Sequence, residues 1–139
     1  MTFQASAAIY DRHVGRYSPQ LSAALIEAAG IDRRDRVLDV GCGPGGLTRA
    51  LAELVGPESV AAVDPSEPFV DACRERVPGA DVRLAAAEKL PFPDDRFDAV
   101  LSQLVVNFLS DPQAGLREMS RVARPNGVVV GCVWTTRRG

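Results

Sequence analysis

The stretch "VLDVGCGPGG", residues 37–46, decides how the rest of the chain is read. It opens as a short apolar strand interrupted by Asp39, and then four glycines crowd into six positions. Glycine loses more conformational freedom on folding than any other residue, so such a cluster points to positive φ angles and a close approach to the backbone. Gly41, Gly43 and Gly46 also fit G-x-G-x-x-G, the turn that carries a strand into a helix and aims backbone N–H groups at an anionic ligand group. Pro44 and Gly45 fill its open positions and stiffen the turn. Asp39 lies two residues before Gly41, near the ligand end of the strand. A carboxylate there repels a pyrophosphate and favours a ligand with an ammonium or sulfonium.

Outward from this stretch, turn signals divide the chain into a regular alternation. Ser18-Pro19 opens a helix with Leu21, Ala24, Leu25 and Ala28 at helical spacing, stopped by Gly30. Arg36 to Val40 is a strand. Gly46 to Val55 carries Leu47, Ala50, Leu51 and Leu54, the stripe of one helix face. "SVAAVD" (59–64) is a second strand, and Ser66 and Pro68 open a helix that buries Phe69, Cys73 and Val77. "DVRLA" (81–85) is a third strand, "LPFPDDR" (90–96) a loop and "FDAVLS" (97–102) a fourth strand. A helix over Pro112 to Arg121 follows, then a turn at "RPNG" (124–127) into a fifth strand, "VVVGCVW" (128–134). Near-continuous apolar strands alternating with helices predict an α/β fold, a doubly wound parallel sheet covered on both faces. Its strands' carboxyl ends share one edge, where Gly41, Asp64, Ala86 and Gln103 belong.

The 139 residues suit a single domain, 46% hydrophobic and 24% charged, with a net charge of −2. This balance offers no electrostatic footprint for nucleic acid or an anionic membrane. Three widely spaced cysteines without a C-x-x-C pair argue against a disulfide framework or a zinc site and for a reducing, cytoplasmic setting. The start of the chain does not read as a secretory signal, and no apolar run approaches a membrane span.

Asp64 ends the second strand 23 residues after Gly41, close to the spacing at which a carboxylate accepts from ribose hydroxyls. Glycine loop and acid together indicate an adenosine-containing ligand, and the spacing alone leaves dinucleotide and other nucleosides open. Four segments, "VLDVGCGPGGLTRAL", "VAAVDPSEPFV", "LAAAEKLPFPDDRFDAV" and "GLREMSRVARPNGVVV", resemble in order and spacing the class I S-adenosylmethionine-dependent methyltransferases, the type 11 branch in particular. The resemblance runs from about Tyr10 to Trp134. It implies a Rossmann-like sheet of order 3-2-1-4-5, with residues 1–30 as an N-terminal helical cap and 31–139 as the core. It also implies S-adenosylmethionine as cofactor, with Gly41, Cys42, Gly43 and Gly45 along its methionyl and ribose part and Asp39 supporting its amino group. Asp64 would hold the ribose diol, Pro65 and Ser66 would sit beside adenine, and Tyr10, Arg16 and Tyr17 would reach the carboxylate or cover the methyl. Many relatives place an acidic residue against the adenine amino group. Ala86 stands there, leaving adenine to the backbone N–H groups of Ala87 and Glu88 and to packing by Leu90.

Methyl transfer from a sulfonium needs orientation and exclusion of water, and a base only where the acceptor must lose a proton. His13, Gln103 and Asn107 are the candidates near the reacting atoms, Gln103 also on the cofactor side. Neither amide can act as a base. The resemblance implies a small-molecule acceptor and two further strands after the fifth. Either the chain is a truncated form of the family fold or a second copy covers the fifth-strand edge in a homodimer. Two other readings stay open: a methyltransferase-like domain that binds ligand or partner without transferring methyl, and an NAD-type oxidoreductase, against which "LPFPDDRFD" speaks.

Overall fold

The side-chain alternation of the strands sorts this chain into two apolar faces, and the helices take their places from that sorting. The computed structural model describes residues 18–103 and 109–132. Within them, helix α1 (Ser18–Ala29) precedes β1 (Val37–Val40), α2 (Gly46–Val55), β2 (Val60–Asp64), α3 (Glu67–Arg76), β3 (Asp81–Leu84), β4 (Phe97–Gln103), α4 (Pro112–Val122) and β5 (Ala123–Cys132). The strands form one sheet in the order β3-β2-β1-β4-β5, every neighbouring pair parallel. This is the Rossmann-like order expected from the sequence.

Val37, Val60, Ala99 and Leu101 face one side, packed on Leu25 and Ala29 of α1 and Leu47 and Leu51 of α2. Ala62 and Val82 extend that side toward α3 through Val70 and Cys73. Leu38, Val40, Ala61, Val63 and Val100 face the other, against Met119 and Val122 of α4 and the loop residues Leu90 and Phe92. β1 and β2 are buried along their whole length, which is why they read as unbroken apolar runs.

Three expectations shift. α1 buries Ser22, Leu25 and Ala29, while Ala24 and Ala28 face solvent. The helix is rotated by one position because a serine occupies a slot on its buried face. β3 is an edge strand whose only buried residue is Val82, with Leu84 left 54% exposed, so it is not covered on both faces. The "RPNG" turn is absorbed into β5, which starts at Ala123. Phe97 pairs with Ala123 and Ala99 with Val128, so residues 124–127 bulge out of register. Asn126 has φ 68°, and a Cβ on Gly127 would lie 2.8 Å from the Arg124 carbonyl oxygen and 2.9 Å from that of Asp98. The expected end of this strand, residues 133–134, lies outside the described residues, as does the cap before residue 18.

Candidate functional site

Two carbonyl-rich strand ends and the glycine loop build the site. Gly41, Gly43 and Gly45 all take positive φ (75°, 54° and 100°), which curls the loop back over the end of β2. The Val63 carbonyl accepts from both the Gly41 N–H (2.8 Å) and the Cys42 N–H (2.9 Å). The next residue, Asp64, accepts from the Gly43 N–H through Oδ2 (3.0 Å) and from the Ser66 N–H through Oδ1 (2.8 Å). One carboxylate thus ties the glycine loop to the entrance of α3. Asp64 is nearly buried, and that burial raises its pKa despite the two amide bonds, which lower it.

Asp39 is in register with Ala62 and Leu101 and shares their face of the sheet, toward α2. Thr48, in the first turns of α2, donates to Asp39 Oδ2 at 2.7 Å and accepts from the Cys73 thiol at 3.6 Å. Asp39 Oδ1 is buried without a hydrogen-bond partner. Burial pushes the Asp39 pKa up to about 7, helped by the charge of Asp64 and opposed by the Thr48 bond. A buried oxygen left unpartnered costs free energy, of order 1–3 kcal/mol, that a suitable ligand recovers.

A cavity of about 280 Å³ opens beside Asp39, lined by Gly41, Cys42 and Pro44 of the loop, Gln103 of β4, Pro19 and Ser22 of α1, and residues of α2. The expected site residues divide around it. Asp39, Gly41, Cys42 and Gln103 line the cavity. Gly43 adjoins through Asp64, whereas Gly45 packs on α3: a Cβ there would lie 3.0 Å from Cys73 Sγ. Asp64, exposed Pro65, buried Ser66, exposed Ala86, buried Ala87 and half-buried Glu88 follow along the same carboxyl edge, beyond the cavity wall. The Glu88 carboxylate is already engaged, accepting from Ser110 Oγ (2.8 Å) and the Asp111 N–H (3.4 Å). Tyr10, His13, Arg16, Tyr17 and Asn107 lie outside the described residues. Sequence reasoning missed Ser22 and Thr48. The signal was there in both, a small hydroxyl residue set into an apolar helix stripe. Among the described residues no cluster of His, Cys, Asp and Glu could hold a metal ion.

The model of the methyltransferase domain family matches residues 38–131, from β1 through the glycine loop into β5. This chain belongs to that family. An uncharacterized methyltransferase of Schizosaccharomyces pombe is 37% identical over 132 residues, 87% of this chain and 47% of that protein. The 2-methyl-6-phytyl-1,4-hydroquinone methyltransferase 2 of Oryza sativa is 34% identical over 125 residues, 86% of this chain and 36% of that protein. The crystal structure of a SAM dependent methyltransferase from Aquifex aeolicus superposes with a TM-score of 0.74 at 26% identity, covering 88% of this chain and 69% of the other. This methyltransferase domain therefore spans half or less of the length of these two curated relatives. No helix among its described residues is long and apolar enough to cross a membrane.

Proposed function

We propose that this chain binds S-adenosylmethionine along the carboxyl edge of its sheet and forms the cofactor-holding part of a methyltransferase for a small-molecule acceptor. The observation that carries the reading is the lone Asp39 Oδ1, buried at the wall of the cavity. An α-ammonium group satisfies that oxygen and favours the ionised carboxylate, whereas the phosphates of a dinucleotide do neither. Asp64, on the neighbouring strand end, keeps acceptor lone pairs for a ribose diol while its amide bonds hold the carboxylate still. Gly41 lets the backbone approach a ligand that a side chain would exclude.

The cofactor, when bound, supplies a methyl group on a sulfonium. The chain's own part is to orient and to keep water out: the glycine loop forms the floor, α1 a wall, and Gln103 a neutral polar contact that cannot take a proton. The rice relative's hydroquinone substrate, by its name, supports a small-molecule acceptor, as does the absence of a basic footprint in the sequence.

Calorimetric titration with S-adenosylmethionine, S-adenosylhomocysteine and NADH tests the cofactor. Binding of both sulfur nucleosides and not of NADH is expected. No binding of either at millimolar concentration overturns the proposal. Because the Asp39 pKa lies near 7, an ammonium ligand should displace its proton. Affinity then rises from pH 6 to pH 8, and at pH 6 protons are released on binding. Transfer of a labelled methyl group into solvent-extractable material, rather than into protein or RNA precipitates, tests the acceptor class.

A further inference from the structure

We infer that Thr48 is a positioning residue of this site: its hydroxyl engages Oδ2 of Asp39 and so leaves Oδ1 as the one carboxylate oxygen that meets the ligand's ammonium. The inference rests on the cofactor reading above and adds a residue and an orientation to it.

Thr48 lies in the first turn of α2, on the buried face with Leu47 and Leu51, and is 0% exposed. A valine has nearly the same shape and would continue that apolar face. A hydroxyl so far from water needs partners, and this one has two, each on a different element. It accepts from the Cys73 thiol of α3 at 3.6 Å and donates to Asp39 Oδ2 of β1 at 2.7 Å. Cys73 is itself fully buried, and a Cβ on Gly45 would lie 3.0 Å from its sulfur. The glycine loop thus packs against a chain of donors that runs from α3 through α2 to β1.

A hydroxyl carries one proton. With the Thr48 proton given to Oδ2, that oxygen must offer a lone pair, so any proton that Asp39 holds sits on Oδ1. Oδ1 is also the oxygen without a partner. The two oxygens of one carboxylate therefore have separate tasks. Oδ2 anchors the side chain, and Oδ1 changes from donor to acceptor as Asp39 ionises. Only the acceptor form suits an ammonium. The Thr48 bond favours that form, against burial and the charge of Asp64, and places the change near pH 7. The other titratable groups around Asp39 are Cys42 on the loop and Cys73 on α3. Arg49, paired with Glu53 on α2, and Arg76 of α3 line the same cavity.

The test is calorimetry on the 139-residue chain from pH 6 to pH 8.5, with S-adenosylhomocysteine and with 5′-methylthioadenosine, which lacks the amino-acid group. Thr48→Val keeps the shape and removes the hydroxyl. The midpoint of the rise in S-adenosylhomocysteine affinity should move up by about one pH unit. At pH 7 the affinity then falls about five- to tenfold, and the loss narrows by pH 8.5. Proton release on binding at pH 7, read in two buffers of different ionisation enthalpy, grows from about one half toward one. Methylthioadenosine should stay within about twofold throughout. Thr48→Ser, which keeps the hydroxyl, should restore the wild-type midpoint. Thermal melts accompany each variant. If Thr48→Val loses its cooperative transition, it is made in the Asp39→Asn background, where the side chain no longer titrates. The added substitution should there change S-adenosylhomocysteine affinity by less than about twofold. A larger loss in that background, an unmoved midpoint in Thr48→Val, or equal losses for both nucleosides overturns the inference while leaving the cofactor reading intact. A wild-type chain that binds neither nucleoside overturns both.

Discussion

The two ends of the sheet use aspartate in opposite ways. At the amino end, Asp98 on β4 accepts from the Arg36 N–H at 2.7 Å and pairs with Arg124 at 2.5 Å. Around it, Arg121 bonds Glu118, Asp94 and the carbonyls of Leu90 and Phe92, lashing the 90–96 loop to α4. Arg83 grips Asp81 with two bonds and lies 4.7 Å over the Phe92 ring. Asp98, Asp94, Glu118 and Asp81 are each paired with an arginine. At the carboxyl end, Asp39 and Asp64 are more deeply buried, are held by a threonine hydroxyl and by backbone N–H groups respectively, and both have raised pKa values. A fully partnered carboxylate holds a fold together. A buried carboxylate with an oxygen left over costs the fold stability and returns it only when a ligand arrives.

Substitutions can break this comparison, the largest first. Asp64→Ala removes the acceptor of two loop amides together with the proposed ribose contact. S-adenosylhomocysteine affinity should fall by roughly 2–4 kcal/mol, with a lowered melting temperature; an unchanged Kd by calorimetry would put the ribose elsewhere. Asp39→Asn comes next and should act with two signs. Ligand affinity drops by about 1.5–2 kcal/mol, while the unliganded chain gains about 1–2 kcal/mol at pH 8.

The pH dependence of that gain follows from linkage. Folding raises the Asp39 pKa from 3.8 to about 7, so the native state holds a proton that the unfolded chain has lost. This contribution to wild-type stability is fully present below the unfolded value, declines as pH rises and levels off above pH 7. The advantage of Asp39→Asn should therefore shrink toward pH 4, which denaturant titrations across pH can follow. A variant destabilised at pH 8 would show that Asp39 is compensated after all.

At the other end, Asp98→Ala should cost about 1–3 kcal/mol of stability and leave S-adenosylhomocysteine affinity within about twofold. If it weakened the ligand as strongly as Asp39→Asn, the division between the two ends would collapse. The smallest effect belongs to Arg83→Met, an exposed pair and ring contact worth at most about 1 kcal/mol, detectable as a small shift in the urea midpoint.

Much of this was legible in the sequence because the apolar runs of β1, β2 and β4, and Leu47 and Leu51 of α2, are buried where their patterns say. The glycine loop, Asp39 and Asp64 were legible too, since each departs from a local rule: glycines where a helix should begin, acids at the ends of apolar strands. What stayed hidden depended on partners far along the chain. Ser22 falls outside the apolar pattern read for α1, because only a partner as distant in sequence as Gln103 makes a serine acceptable on its buried face. Thr48 was passed over for Ala50 and Leu54, although it is fully buried between Asp39 and Cys73. β3 carries an ordinary strand pattern, and nothing local marks it as the exposed edge. The bulge in β5 hid behind turn residues that do turn the backbone, yet leave the strand paired on both sides of them.

The Val63 carbonyl, shared by the Gly41 and Cys42 N–H groups, has a practical meaning for protein engineering. It joins the loop after β1 to the last two residues of β2, and Asp64 closes the join from its other side. The loop and the strand end are tied as one jaw of a caliper, so the gap beside them is set by both. Transplanting the glycine loop alone into another sheet would carry over its letters and lose its calibration. The portable part is residues 39–48 together with 63–66.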